Sequence, residues 1–438
     1  YQLLDFDTRF GPSIEPVIAS VIRHSAKPFL MFSKTSNRNA FTLVEVLVSF
    51  VIISVISGMV AIALSGAQRQ AQDTRAKAMI DRLNLSILRL YEDESQRRVA
   101  MPGNVINGEA VSQAQLIFKR DWLRAILPNN KADMDVGSSR TGATAVQRIP
   151  YRRNDDNMGN VQWAEITENS RLLASQRYRQ RVMRTLDVGT WTAAWDLWTP
   201  EYQSAECLYQ IFASSTLDGE PLLKQLRTRD IADTDEDGMP EIVDSWGVPL
   251  LWMRWPTGFY LKNRWVADES DTTAWPTVGE LAAIIRNRGD DPLDLLRMDP
   301  RYRSEYDYDL ASTTNDLVDP RTNNNSIMVD KLTYAVRPMI VSAGSDGEFD
   351  LVTSGPGTGR ETVGDDYFAN LRMSDARDGS LQRFDRAVFF PDPFFTLNIV
   401  GTGADAPRPL LERLGAVSDV NGDRTDNSAD NIYPVLGF

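Results

Sequence analysis

The chain has almost no cysteine or histidine: Cys207 and His24 are the single examples in 438 residues. One cysteine cannot form an intramolecular disulfide. That fits the cytoplasm, and equally an exported protein stabilised in another way. One histidine, near the start, excludes a Ser-His-Asp triad in the body of the chain and any His-rich zinc site. Metal binding must then use oxygen ligands, which favour Ca²⁺ or Mg²⁺. Also lacking are a long basic run and tandem repeats. With a formal net charge of −13, no nucleic-acid partner is expected, because phosphate binding needs clustered Lys and Arg. Acidic residues are plentiful, yet no spacing selects a general acid–base pair, so an anchored hydrolase is disfavoured and no enzyme activity is expected. The hydrophobic share of 42% still allows a sizeable core.

One apolar run stands out. From Phe41 to Gln68 the sequence reads FTLVEVLVSFVIISVISGMVAIALSGAQ, with Glu45 as its only charge. A bilayer core needs roughly 20 apolar residues in a helix, and no other stretch of the chain meets that length. Lys34 and Arg38 lie just upstream, so the positive-inside rule keeps the N-terminus cytoplasmic and exports the rest. A cleaved secretory signal is the rival. Its apolar core is usually shorter and its small-residue cleavage site follows the core, whereas Ala40 precedes the run here.

Glu45 is costly inside a span and needs a partner. A cut before Phe41 would create an α-amino group one helical turn away, a natural counter-charge within a chain or between chains. Met31 opens a ten-residue polar leader, MFSKTSNRNA. Residues 1–30 then read as an upstream extension or a mis-assigned start. Beyond the span, Ile80, Leu83, Ile87, Leu90 and Tyr91 recur at helical spacing. One helix is expected from about Phe41 to Arg98, ended by Pro102-Gly103.

The run Ala40-Phe41-Thr42-Leu43-Val44-Glu45 resembles the processing site of type IV pilins and type II secretion pseudopilins. The resemblance implies cleavage before Phe41 by a prepilin peptidase and methylation of the new N-terminus. It also implies pairing of Glu45 with a neighbour's N-terminus during assembly. The family usually has Gly where this chain has Ala40. Two further segments resemble the major pseudopilin of type II secretion: Asp244-Ser-Trp246-Gly247-Val-Pro249 is similar to its D-x-W-G-x-P signature, and Ser342-Ala-Gly344-Ser-Asp346-Gly347 to its S-x-G-x-D-G strand end. In that family a nearby loop often binds one Ca²⁺. Asp365 and Asp366 are the best matches here, and Asp419, Asn421 and Asp423 are a weaker set.

A separate signal comes from spacing. In Asp233–Asp244 (DTDEDGMPEIVD) carboxylates stand at positions 1, 3 and 5 and Gly238 at position 6. Met239 can offer its carbonyl at 7, Glu241 stands at 9, and Asp244 at 12. That is a calcium-loop pattern. Trp246-Gly-Val-Pro249 suggests a turn into a strand, so a loop without flanking helices is expected. The alternative is a solvated acidic turn. The next segments, PLLWMRW and GFYLKNRW, read as a hairpin about Pro256-Thr257-Gly258. Residues 163–186 and 201–215 read as amphipathic helices, while 104–160 give few signals. Trp191, Trp195 and Trp198 read as packing residues.

The expected class is α+β: a long N-terminal hydrophobic stem helix packed on an enlarged globular head with a small antiparallel sheet and calcium-type loops. The expected organisation is an upstream extension 1–30, a leader 31–40, a stem 41–98, a helical insertion region 99–230 and a β-containing head 231–438. The resemblance implies a subunit processed by prepilin peptidase. It would be held in the inner membrane by a single pass with a periplasmic head, and assembled with other pseudopilins on an inner-membrane platform into a periplasmic pseudopilus. The alternative is a single-span anchored binding protein with a calcium-stabilised extracytoplasmic head, whose tryptophans would be exposed.

Overall fold

The computed structural model describes residues 42–98, 108–135, 146–152, 161–167, 169–261, 263–266, 280, 283–284, 287–294, 334–352, 415–418 and 423–434. The leader, residues 1–30, Ala40, Phe41, Pro102-Gly103, Asp365, Asp366, Asp419 and Asn421 lie outside them. The chain is α+β, and it divides into two units, Tyr1–Ala63 and Leu64–Phe438.

The described part of the first unit belongs to α1 (Leu43–Ser95). Its large apolar side chains from Leu43 to Leu64 are exposed, Leu43 at 81% and Ile62 at 75%. Ser49 and Ser54 donate their hydroxyls to the carbonyls of Glu45 and Phe50, which satisfies them locally along the apolar run. α1 is the one helix among the described residues long and apolar enough to cross a membrane.

In the second unit the same helix changes character. Ala76, Met79, Ile80, Leu83, Ile87 and Tyr91 are buried, a stripe at spacings of three and four that packs into the main core. Full burial of such a side chain is worth about 1.5–3 kcal/mol as an upper estimate. Leu83→Ala, at a fully buried position, should cost about 2–5 kcal/mol. The helix ends near Ser95, a few residues before the expected Arg98.

The head begins with α2 (Gly108–Ile126), inside the region expected to be helical although 104–160 gave few sequence signals. Its Leu116, Leu123 and the following Leu127 point into the core. A hairpin follows, β1 (Val146–Arg152) paired antiparallel with β2 (Val161–Thr167). The expected helix over 163–186 is therefore a strand and then a helix. Val161, Trp163, Ile166 and Thr167 are β-branched or aromatic and favour the strand, and α3 runs Asn169–Thr185. α4 (Trp191–Leu197) is capped by Thr190, whose side chain accepts from the Ala193 N–H. α5 (Gln203–Ser214) matches the expected 201–215 and buries Cys207, Leu208, Ile211 and Phe212. Two two-residue pairs follow, β3 (Thr216–Leu217) with β4 (Glu220–Pro221) and β5 (Ile231–Ala232) with β6 (Glu241–Ile242).

β7 (Leu251–Met253) does not fold back on the next segment. It pairs antiparallel with β8 (Met339–Val341), Trp252 opposite Ile340, and Thr257–Leu261 forms the short helix α6. The expected hairpin about Pro256 is thus corrected. All three residues of β7 are buried, so its partner must itself be apolar on both faces, as Met339-Ile-Val341 is and Phe-Tyr-Leu-Lys-Asn is not.

Candidate functional site

The helix start carries the first constellation. Glu45 Oε2 accepts from the Thr42 backbone N–H at 2.8 Å and from its hydroxyl at 3.0 Å, while the Glu45 N–H donates to Thr42 Oγ1 at 3.2 Å. This reciprocal pair is a capping box, T-x-x-E, satisfying two of the orphan donors of a helix N-terminus. The Glu45 carboxylate therefore turns back toward Thr42, the residue that precedes the helix.

The second constellation lies on the β5–β6 loop. Gly238 sits at φ +93, in the left-handed region the sixth position of a cation loop requires. The carboxylate oxygens of Asp233, Asp235 and Glu241 lie within 4.8 Å of one another, and so do those of Asp235, Asp237 and Glu206. Glu206 comes from α5, and sequence reasoning missed it. Its signal was a carboxylate on a helix flank with Gln203 and Gln210 at spacings of three and four, all buried. The loop is stitched by its own backbone: Gly238 N–H donates to Asp233, Met239 N–H to Asp237, and Thr234 N–H to Glu241. Thr199 adds its backbone N–H to Asp237 and its hydroxyl to Asp235. Burial, assisted by the neighbouring carboxylates, raises the Glu206 carboxyl to about 10 and Glu241 to about 7. Asp237 is also raised, chiefly by burial.

The Met239 side chain is fully buried in the core, which leaves its carbonyl as the atom the spacing assigned. One expected ligand sits elsewhere. Asp244 is not in the cluster: its Oδ1 accepts from the Trp246 and Val248 N–H groups and its Oδ2 from the Ser342 hydroxyl at 2.7 Å. Ser342 belongs to the second signature-like segment. The two segments, 98 residues apart, thus meet at one buried hydrogen bond beside the β7–β8 pair. Asp423, of the weaker set, accepts from the Thr425 N–H.

The tryptophans are packing residues: Trp191, Trp195 and Trp198 are 4%, 7% and 1% exposed. Trp191 meets the other two edge-on. The Trp198 indole N–H donates to Glu206 Oε2.

Among known families, the one described as the prokaryotic N-terminal methylation motif matches residues 35–64. The match covers the small residue before Phe41, Glu45 and the apolar first part of α1. This segment supports a type IV pilin-like protein. Comparison with curated proteins and with solved structures finds no match. The pilin-like segment implies processing by a prepilin peptidase and assembly with other pilin-type subunits. It also makes the exposed apolar half of α1 a membrane anchor.

Proposed function

We propose that this pilin-like protein is a pseudopilin-type structural subunit, built into a periplasmic pseudopilus of a type II secretion or related pilus-like system. The observation that carries the reading is the methylation motif running without a break into a capped, exposed apolar helix. Before assembly the subunit is stored in the inner membrane, N-terminus in the cytoplasm and head in the periplasm, as Lys34 and Arg38 dictate. Its partners are then the prepilin peptidase, other pseudopilins and an inner-membrane assembly platform. The joined D-x-W-G-x-P and S-x-G-x-D-G segments support the secretion branch of the family. The reading involves no catalytic step by this chain.

Mass spectrometry of the membrane-extracted protein tests it. A mature chain beginning at N-methylated Phe41 is expected, and an intact leader in cells that hold the peptidase overturns the reading. Glu45→Val is expected to abolish filament assembly while leaving membrane insertion intact. Normal assembly of that variant removes the register role of Glu45.

A further inference from the structure

We propose that Glu206 of α5 and the Asp233–Glu241 loop together hold a calcium ion that ties the loop to the helical part of the head. The site rests on more than clustered acids. Glu206 and Glu241 are both 0% exposed, and in each the Oε1 atom meets no hydrogen-bond donor. An unmet buried carboxylate oxygen is rare and needs a ligand or a proton. Glu206 presents its carboxylate to Asp235 and Asp237, and Glu241 presents its own to Asp233 and Asp235. Asp235 stands in both groups and joins them.

No ion pair with Lys or Arg is formed by any of these five carboxylates among the described residues. Mutual repulsion and burial therefore act together, and a bound cation offsets both.

The chemistry selects the ion. Every donor is a hard carboxylate oxygen, and Cys207, the neighbour of Glu206 on α5, is a buried thiol that burial keeps protonated. Several protein carboxylates converging from a loop and a helix suit Ca²⁺, which takes about six to eight oxygens in flexible geometry, whereas Mg²⁺ usually keeps several waters and takes one or two carboxylates. Compared with an EF-hand, the loop lacks its bidentate twelfth ligand, because Asp244 is turned toward Ser342. Glu206 supplies the missing long carboxylate from another element.

Trp198 provides a built-in reporter, since its indole donates to Glu206. The full chain in detergent micelles is titrated with Tb³⁺ under tryptophan excitation, then with Ca²⁺ or Mg²⁺ as competitor. Saturable sensitised emission, displaced by Ca²⁺ at lower concentration than by Mg²⁺, is expected. Glu206→Gln keeps the acceptor for Trp198 and the side-chain shape, so it should fold and lose about tenfold or more in Ca²⁺ affinity. Asp423→Asn, in the C-terminal acidic segment, should bind Ca²⁺ as the native chain does. Absence of Ca²⁺-displaceable emission up to millimolar Ca²⁺, or native affinity in Glu206→Gln, overturns the proposal.

Discussion

Two acidic regions of the head look alike as text and differ as structures. In the loop from Asp233 to Glu241, carboxylates face one another and two buried oxygens meet no donor. In the C-terminal region most carboxylate oxygens face backbone N–H groups and amides, and the Asp430 Oδ1 is the buried carboxylate oxygen there that meets no donor among the described residues. Asp430 Oδ2 accepts from the Ser345 N–H, the Ser345 hydroxyl and the Asp346 N–H. Asp350 accepts from the Asn427 N–H, and Glu348 from the Asn427 side chain. Ser342 and Ile432 bridge the same two segments through their backbones. The first arrangement demands a cation or protons, whereas the second serves to dock the chain end onto the residues after β8. A run of aspartates does not say which of these it is. The direction of the donors does.

The largest expected difference is in pH dependence under chelation. Glu206 and Glu241 have an ordinary value of 4.5, raised on folding to about 10 and about 7. The folded state then holds protons that the unfolded chain has released, so stability falls as pH climbs from 4.5 through those values. The two groups share Asp235 as a neighbour, and their protons come off in steps that belong to the cluster. With EDTA present, the loss between pH 5 and pH 8 should be on the order of 6 kcal/mol, at up to about 1.4 kcal/mol per pH unit per proton. Denaturant titrations at several pH values measure it. Saturating Ca²⁺ or Glu206→Gln should flatten the slope, and an equally steep slope in Glu206→Gln breaks the contrast between the regions.

Next in size is Gly344→Ala, on the docking side. Gly344 has φ +75, and a Cβ there would strike the backbone carbonyl of Asp430 and approach its carboxylate to 2.8 Å. Backbone strain and overlap together should cost about 3 kcal/mol and free the chain end for proteolysis. The calcium affinity should not change. Asp244→Ala should cost about 2 kcal/mol, because it leaves the Trp246 and Val248 N–H groups and the Ser342 hydroxyl without their acceptor. Thermal melts with and without chelator separate the two variants from a calcium effect, since both should lower the melting temperature equally in either condition.

What the sequence disclosed follows the same line between local and non-local. The stem was legible because an apolar span, the acid Glu45 near its start and the stripe at Ile80, Leu83 and Ile87 are written within a few turns; the capping box at Thr42 appeared only in the structure. The acidic loop was legible through Gly238 and the alternate aspartates. The role of Asp244 was not, because its partner Ser342 lies on a strand end far along the chain. The pairing of β7 with β8 failed for that reason too: periodicity identifies a buried strand but not which distant segment covers it. Glu206 was hidden in an ordinary-looking helix. Its meaning appears only when α5 brings it to Asp235 and Asp237.

The smallest expected effect is the most direct check on the comparison. Asp430→Asn keeps an oxygen for the Ser345 and Asp346 N–H groups and removes the charge that, behind burial, raises the Asp346 carboxyl. The lost charge weakens three hydrogen bonds, and the relieved repulsion offsets part of that. A net change within about 1 kcal/mol is expected, equal with and without Ca²⁺. A denaturant midpoint measured in both conditions decides it. If this variant, rather than Glu206→Gln, removed the calcium dependence of stability, the roles of the two regions would be exchanged: the chain end would hold the ion, and the β5–β6 loop would hold protons.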